Sequence, residues 1–182
     1  MPYYTISYNQ TEENVGNGFN KTLITDQLRG DANYNGVVCT DWMITHDEEH
    51  PGIHSGKPWG VETISEAERH YKALMAGVDQ FGGNNVKEPV IEAYNMGVKE
   101  HGEDWMRKRF EDSAYRLLLN IFRTGLFENP YVDVDHTIQT VGCPEFMETG
   151  YEQQVKSIVM LKNHHSLLPV NTRKKVYIPQ RI

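Results

Sequence analysis

The run Gly36-Val37-Val38-Cys39-Thr40 constrains this chain more than any other stretch. A short, uninterrupted apolar run bounded by turn-forming residues is the pattern of a strand buried on both faces. Strands of that kind belong to parallel sheets, which need helical crossovers, and helical patterns flank this one. Before it, Leu23, Ile24, Gln27 and Leu28 recur at helical spacing and the pattern stops at Gly30, a plausible C-cap position. After Asp41-Trp42 comes a loop, His46 to Gly60, rich in Pro, Gly and His. Ser65-x-x-Glu68 is then a capping-box pattern that opens a helix with Ala67, Tyr71, Leu74 and Met75 on its apolar face.

The same alternation extends in both directions. Tyr3 to Tyr8 is rich in Tyr, Thr and Ile and predicts a strand, followed by a polar loop from Asn9 to Asn20. Ala76 to Gly83 reads as a turn, a very short strand and a glycine loop. One helix is predicted around Val90 to Val98. A longer one runs from about Glu103 to Thr124, with Phe110, Ala114, Leu117, Leu118, Ile121 and Phe122 facing inward. Strand and helix alternate three times, which predicts an α/β fold with a parallel sheet. Gly125 to Gly150 lacks a period and reads as a linker. The last block holds a helical pattern (Val155, Ile158, Val159, Leu161), a turn at Leu168-Pro169 and a strand-like Lys175-Val176-Tyr177-Ile178.

Composition removes several function classes. Eighteen Lys and Arg against 25 Asp and Glu leave a net charge of -7, with an isoelectric point near 5.6. Such a surface repels phosphate backbones, and the longest basic run is Arg173-Lys174-Lys175, so no nucleic-acid partner is expected. A mean hydropathy of -0.60 and no apolar run near the roughly 20 residues of a spanning helix leave no membrane role. The two cysteines, Cys39 and Cys143, form neither a disulfide framework nor a zinc ribbon. Met1-Pro2-Tyr3-Tyr4 carries no signal-peptide pattern.

Asp41 is the most suggestive single position. It follows the buried-type strand, and side chains at the C-terminal ends of parallel strands are where such folds display their chemistry. Trp42 beside it offers a flat face of the kind that stacks on sugar rings. The alternative is an Asp that merely caps the loop. Asp79, placed at the end of the next short strand, is either a second carboxylate or a structural acceptor for nearby backbone amides. His46-Asp47-Glu48-Glu49-His50, with His54, approaches metal-ligand spacing. However, the second position is Asp rather than Glu, and Pro51-Gly52 stop any helix, so a solvated acidic loop is expected and no metal. His164-His165 reads as surface. Neither a nucleophile-elbow glycine pattern nor a phosphate-binding glycine loop is present.

Several motifs in order resemble glycoside hydrolase family 3. Gly36 to Trp42 is similar to that family's Gly-φ-Val-φ-Ser-Asp-Trp, with Thr40 where Ser is usual. Leu23-Ile24-Thr25-Asp26-Gln27-Leu28-Arg29 resembles its Leu-Leu-Thr-Asp-x-Leu-Arg helix, and Ala76-Gly77-Val78-Asp79 its Ala-Gly-Val/Ile-Asp step. Gly125-Leu126-Phe127-Glu128-Asn129-Pro130-Tyr131 resembles Gly-Leu-Phe-Asp-Asn-Pro-Tyr. Ser157 to Asn163, followed by Leu167-Leu168-Pro169-Val170, resembles the opening of the family's second domain.

The resemblance implies a retaining β-glycosidase, β-glucosidase-like, acting on β-linked gluco- or xylo-configured sugars with no cofactor. Asp41 takes the nucleophile position. Trp42 and Tyr4 become substrate contacts, although the letters around Tyr8 fit the family's tyrosine motif as well. The implied architecture is the C-terminal portion of a (β/α)8 barrel over residues 1–124, an interdomain linker over 125–150 and the first elements of an α/β sandwich over 151–182. At 182 residues the chain is shorter than the roughly 250 of a complete barrel, so a fragment is expected, or a chain completed by complementary segments or a second copy. The acid/base residue is expected beyond this chain. The isolated 182-residue chain is expected to be inactive, and a fragment that only contributes structure or carbohydrate contacts, with no activity alone, is the alternative. Family members are often periplasmic or secreted, which sets the expected location.

Overall fold

The structure is a computed structural model that describes residues 1–47 and 56–177. The chain divides into two compact units, residues 1–130 and 131–182.

The first unit is an α/β arrangement around one parallel strand pair. Strand β1 (Cys39–Trp42) pairs with β2 (Gln80–Gly82), with Cys39 opposite Gln80 and Trp42 opposite Gly82. The register slips by one residue between those pairs. Thr40 absorbs the slip: its Oγ1 accepts the Gly82 amide at 2.9 Å, a bond the bulged ladder cannot supply. The strand begins later than the apolar run suggests, because Val38 is already turned to a different partner: its amide meets a carboxylate, and its carbonyl accepts the Asp79 and Gln80 amides.

Helix α1 (Glu66–Ala76) joins the two strands, and its predicted capping box is complete. The Ser65 hydroxyl accepts the Glu68 amide while the Glu68 carboxylate accepts the Ser65 amide at 2.7 Å. It ends at Gly77, whose φ of 109° suits only glycine, and a Cβ there would stand 2.8 Å from Thr25 Oγ1. Helices α2 (Glu88–His101) and α3 (Glu103–Arg123) follow, close to their predicted spans.

Other expectations are revised. Tyr3 to Tyr8 forms no strand; it makes one antiparallel bridge, Ile6 to Gly16, and Pro2, which has no amide to donate, accepts the Asp41 amide at 3.0 Å. The helix around Leu23 spans Thr22–Asp31 in π-type winding and runs through Gly30; the left-handed residue beyond it is Asn33. The core gathers Val15, Phe19, Ile24, Val38, Ile44 and Val78, with Ala73 and Ala76 of α1 packed among them.

The phase of α3 also differs from the apolar spacing. Ala114, Leu118 and Phe122 are exposed, while Met106 and Ser113 are buried and Arg109 and Arg116 turn inward. Polar side chains outcompete apolar ones for that face because they meet a buried charge. The fully buried carboxylate of Asp79 accepts from Ser113 Oγ (2.7 Å) and Arg116 (2.8 Å) through Oδ1, and from Arg29 (2.6 Å) and the Val38 amide (2.9 Å) through Oδ2. Arg109 stands 3.7 Å away and donates to the Leu74 and Val78 carbonyls. One side chain, placed just before β2, thus ties the π-type helix, the residue leading into β1 and α3 together.

The second unit contains α4 (Val134–Thr140) and α5 (Pro144–Ser157), both starting within the stretch read as linker. Asp133 caps α4 by accepting the His136 amide at 2.9 Å, and Pro144 opens α5 at a position where its missing amide costs nothing. Helix α5 stops at Ser157, short of Leu161. Residues 175–177 form no strand, and Ile178 lies outside the described residues. Asn163 closes the Leu168-Pro169 turn with bonds to both the amide and the carbonyl of Leu168.

Removing the central carboxylate strands three guanidinium groups in a low-dielectric site, so Asp79→Ala should cost about 3–5 kcal/mol. Ser65→Ala, which removes only a cap, should cost about 1 kcal/mol; urea unfolding midpoints separate the two. Burial pushes the Asp79 pKa up, but the Ser113 hydroxyl, the Val38 amide and the charges of Arg29 and Arg116 outweigh it and leave the pKa lowered. A carboxylate with a lowered folded pKa contributes stability that is fully present above its unfolded value, near 3.9, and is lost as pH falls through the folded value. The wild type should therefore lose stability below about pH 4 through this group, and Asp79→Ala should lack that component of the loss.

Candidate active site

Asp41 and Trp42 close strand β1, at the C-terminal end of the parallel pair, the edge at which open α/β sheets bind their ligands. Asp41 is half-buried. Its Oδ1 accepts the Trp42 amide at 2.7 Å, and its own amide is fixed by the Pro2 carbonyl. The carboxylate is thus oriented through its backbone on both sides.

The N-terminal segment brings Tyr4 to the same place. Its ring packs against the core, and its hydroxyl donates to the Trp42 carbonyl at 3.1 Å. Burial, the charge of Asp41 and a hydrogen bond to that carboxylate together push the Tyr4 pKa up. The hydroxyl has one proton, so the Trp42 carbonyl and the Asp41 carboxylate compete for it. Tyr4, Asp41 and Trp42 therefore form one cluster.

Trp42 is 55% exposed, and its ring lies over Gly82, which ends β2, and Gly83, which follows it. A Cβ on Gly83 would stand 2.7 Å from Trp42 Cδ1, and one on Gly82 2.8 Å from Cε3. Gly83 also has a φ of 73°. Both conditions demand glycine, so the glycine loop is a seat for an exposed indole.

Residues absent from the sequence reading support the loop after Trp42. His70 on α1 is fully buried: Nδ1 donates to the Glu66 carbonyl at 2.8 Å, so Nε2 is the acceptor, from Asn84 (2.6 Å) and the Thr45 hydroxyl (3.2 Å). Asn84 in turn accepts from His46 at 3.0 Å through its Oδ1. Burial lowers the His70 pKa, which keeps the ring neutral and able to accept. Arg69, also buried, donates to the Val61, Thr45 and Glu62 carbonyls and to Asp47. Polar side chains on a predicted apolar helix give no periodic signal, which hides them in the sequence.

Asp79, the other candidate carboxylate, precedes β2 rather than ending it, and both its oxygens are committed within the fold. Cys39 is half-buried and its thiol pKa is pushed up chiefly by burial. His46 is bound to Asn84 and stands 3.5 Å from Glu66, while His50 and His54 lie outside the described residues. Among the described residues no three His, Cys, Asp or Glu side chains gather as metal ligands, and no helix is long and apolar enough to cross a membrane. His164 and His165 are surface residues of a turn in the second unit.

The chain is similar in sequence to β-glucosidases and β-xylosidases. It is 37% identical over 193 aligned residues to a periplasmic β-glucosidase/β-xylosidase of Dickeya chrysanthemi, an alignment covering 98% of this chain and 28% of that protein. It is 37% identical over 171 residues to β-glucosidase C of Emericella nidulans, covering 93% of this chain and 27% of that one. No family model matches. Among solved structures, a β-glucosidase involved in saponin metabolism from intestinal bacteria superposes with a TM-score of 0.58 at 27% identity, over 84% of this chain and 18% of that one. A Listeria innocua β-glucosidase in complex with gluconolactone shares the fold, with a TM-score of 0.57 at 24% identity over 86% of this chain and 20% of that one. The chain thus spans little more than a quarter of the curated relatives' length.

Substituting Gly83 by Val should displace the Trp42 indole, seen as a shifted Trp42 emission maximum in a Trp59→Phe, Trp105→Phe background. Tyr4→Phe should leave that emission near its original position, because the ring still packs while only the hydroxyl is gone.

Proposed function

We propose that this chain supplies the nucleophile of a retaining β-glycosidase, with Asp41 as the attacking group and Trp42 and Tyr4 as substrate contacts. The observation that carries the reading is the placement of Asp41, a backbone-anchored carboxylate at the C-terminal end of a parallel strand, within a motif resembling family 3. The homology to β-glucosidases and β-xylosidases supports it.

In this reading the ionised Asp41 attacks the anomeric carbon of a β-linked gluco- or xylo-configured sugar and forms a glycosyl-enzyme. A second carboxylic acid, about 5–5.5 Å away in retaining enzymes, protonates the departing oxygen and then deprotonates the incoming water. No residue of this chain is assigned that role. The Tyr4 hydroxyl, donating to the Trp42 carbonyl, holds the phenol beside Asp41, while Trp42 supplies an apolar face to the sugar ring.

The architecture belongs to the same proposal. Residues 1–124 are read as the C-terminal portion of a (β/α)8 barrel, 125–150 as the interdomain segment and 151–182 as the opening of an α/β sandwich. Other segments of the same fold, or a second copy, would complete them. A periplasmic or secreted location is proposed by analogy with the Dickeya chrysanthemi relative, which is named periplasmic.

The test is turnover of an aryl β-glucoside by the protein carrying this sequence and by its Asp41→Asn variant. The expected result is a loss of roughly 10⁴-fold or more, the scale on which removing a catalytic nucleophile acts, with an unchanged circular dichroism spectrum. Near-wild-type turnover in the variant would sink the assignment. Sugar binding without turnover by the unmodified protein would favour a carbohydrate-contacting role instead.

A further inference from the structure

The residue after Trp42 is strained. Met43 has a φ of 57°, in the left-handed region that residues other than glycine seldom occupy, and such strain persists only where surrounding contacts impose it. Its amide donates to the Gly82 carbonyl, and its carbonyl accepts the His46 and Lys57 amides. We propose that His70 is a positioning residue for the Asp41 site: as a neutral acceptor it clamps together the turns leaving β1 and β2, and on gaining a proton it releases them. This deepens, and rests on, the reading of Asp41 as a glycosidase nucleophile.

Position is the first argument. Nε2 of His70 meets the Thr45 hydroxyl at 3.2 Å and the Asn84 amide nitrogen at 2.6 Å, and these two partners meet each other at 3.1 Å. Thr45 stands three residues beyond Trp42, and Asn84 follows Gly83, against which the Trp42 indole lies. The clamp therefore closes on both sides of the seat that holds Trp42, with Asp41 next to it in the chain. The imidazole is itself fixed, because Nδ1 donates to the Glu66 carbonyl and the ring lies 4.6 Å from that of Phe81 in β2. His70 and Thr45 are fully buried, where a polar group left without a partner is costly.

The count of protons is the second argument. With its proton on Nδ1, His70 offers one lone pair on Nε2, and Asn84 and Thr45 donate to it. Asn84 cannot turn its oxygen toward His70 without loss, since Oδ1 accepts from His46 Nε2 at 3.0 Å and Nδ2 donates to Thr45. A proton on His70 Nε2 would therefore point at the hydrogens of the Asn84 amide. The clamp then has no acceptor at its centre and opens.

The surrounding charges set the direction of the pH dependence. Glu66 and Arg69 face His70 from α1, and His46 faces it from the turn beyond β1. Burial is the largest influence and lowers the His70 pKa; the Glu66 carbonyl and carboxylate oppose it, while His46 and Arg69 add to it. The clamp is thus fully closed above the ordinary histidine value, near 6.5, and is lost as pH falls through the lower folded value. A proton on His46 acts differently: its Nε2–H stays on Asn84, and the new charge stands 3.5 Å from Glu66. Arg69 keeps its charge throughout, with its bonds to the Thr45 carbonyl and Asp47.

The ¹⁵N-labelled chain, titrated from about pH 8 to about pH 4.5, tests the proposal. The Trp42 indole and Gly83 amide signals should move together with the His70 Nε2 signal, at one midpoint below about 6.5. His70→Gln keeps an acceptor that takes up no proton, so the transition should vanish there, whereas His46→Gln should retain it. Trp42 and Gly83 signals that stay still while His70 titrates, or an unchanged transition in His70→Gln, would overturn the clamp. Labelling of Asp41 by a dinitrophenyl 2-deoxy-2-fluoro-β-glucoside gives the second readout. One pH unit below the midpoint about a tenth of the molecules stay clamped, so the wild-type labelling rate should fall about ten-fold, and that fall should be absent in His70→Gln. Signals that titrate together with no label on Asp41 would overturn the nucleophile reading and leave the clamp on the Trp42 seat standing. Label on Asp41 whose rate falls equally in the wild type and His70→Gln would overturn the positioning role and leave the nucleophile reading intact.

Discussion

The carboxylate of Asp79 sits with no solvent exposure among Arg29, Arg109 and Arg116, and the geometry of the first unit depends on that arrangement. Bringing a carboxylate and guanidinium groups out of water costs several kcal/mol per ion, which is recovered only when every lone pair and proton finds a partner. Here both carboxylate oxygens do, while the buried Nε of Arg29 is left without a hydrogen-bond partner. Because the partners come from the π-type helix, the residue leading into β1 and α3, the condition for satisfying one charge is that three segments meet at one point. The rotation of α3 is a direct result: Ser113 and Arg116 face inward, and Leu118 and Phe122 are left in solvent.

That junction also sets where β1 begins and therefore where it ends. Asp79 holds the Val38 amide, the Val38 carbonyl holds the first residues of β2, and the one-residue slip absorbed by Thr40 brings Trp42 opposite Gly82. From there the surroundings of Asp41 follow from local contacts. Pro2 fixes its amide, Tyr4 donates to the carbonyl of the next residue, and glycines without side chains give the Trp42 ring room. A buried neutral histidine, His70, holds the outgoing loop through Asn84 and Thr45.

Much of this was legible in the amino-acid sequence, and the losses have physical causes. The capping box at Ser65 and Glu68 was readable because it is a local hydrogen-bond exchange, and α2 and α3 because long periodic segments carry their own signal. The inward face of α3 was not, because apolar spacing says nothing about a charge contributed from residue 79. The predicted strand at Tyr3 to Tyr8 was reduced to a single bridge, since propensity cannot supply a neighbouring strand. Helices α4 and α5 escaped because their start signals, Asp133 and Pro144, stand before segments with no apolar period. Motif and strand position singled out Asp41, Trp42 and Tyr4, and the fold brings these three side by side.

The central claim is that Asp41 attacks an anomeric carbon, and covalent trapping tests it most directly. A 2-deoxy-2-fluoro-β-glucoside with a dinitrophenyl leaving group departs without needing a proton, so the nucleophile can be examined independently of the acid/base partner. The protein is expected to gain the mass of one fluoroglucosyl unit, which peptide fragmentation should locate on Asp41. An adduct on any other residue, or no adduct under conditions in which the sugar is seen to bind, would contradict it.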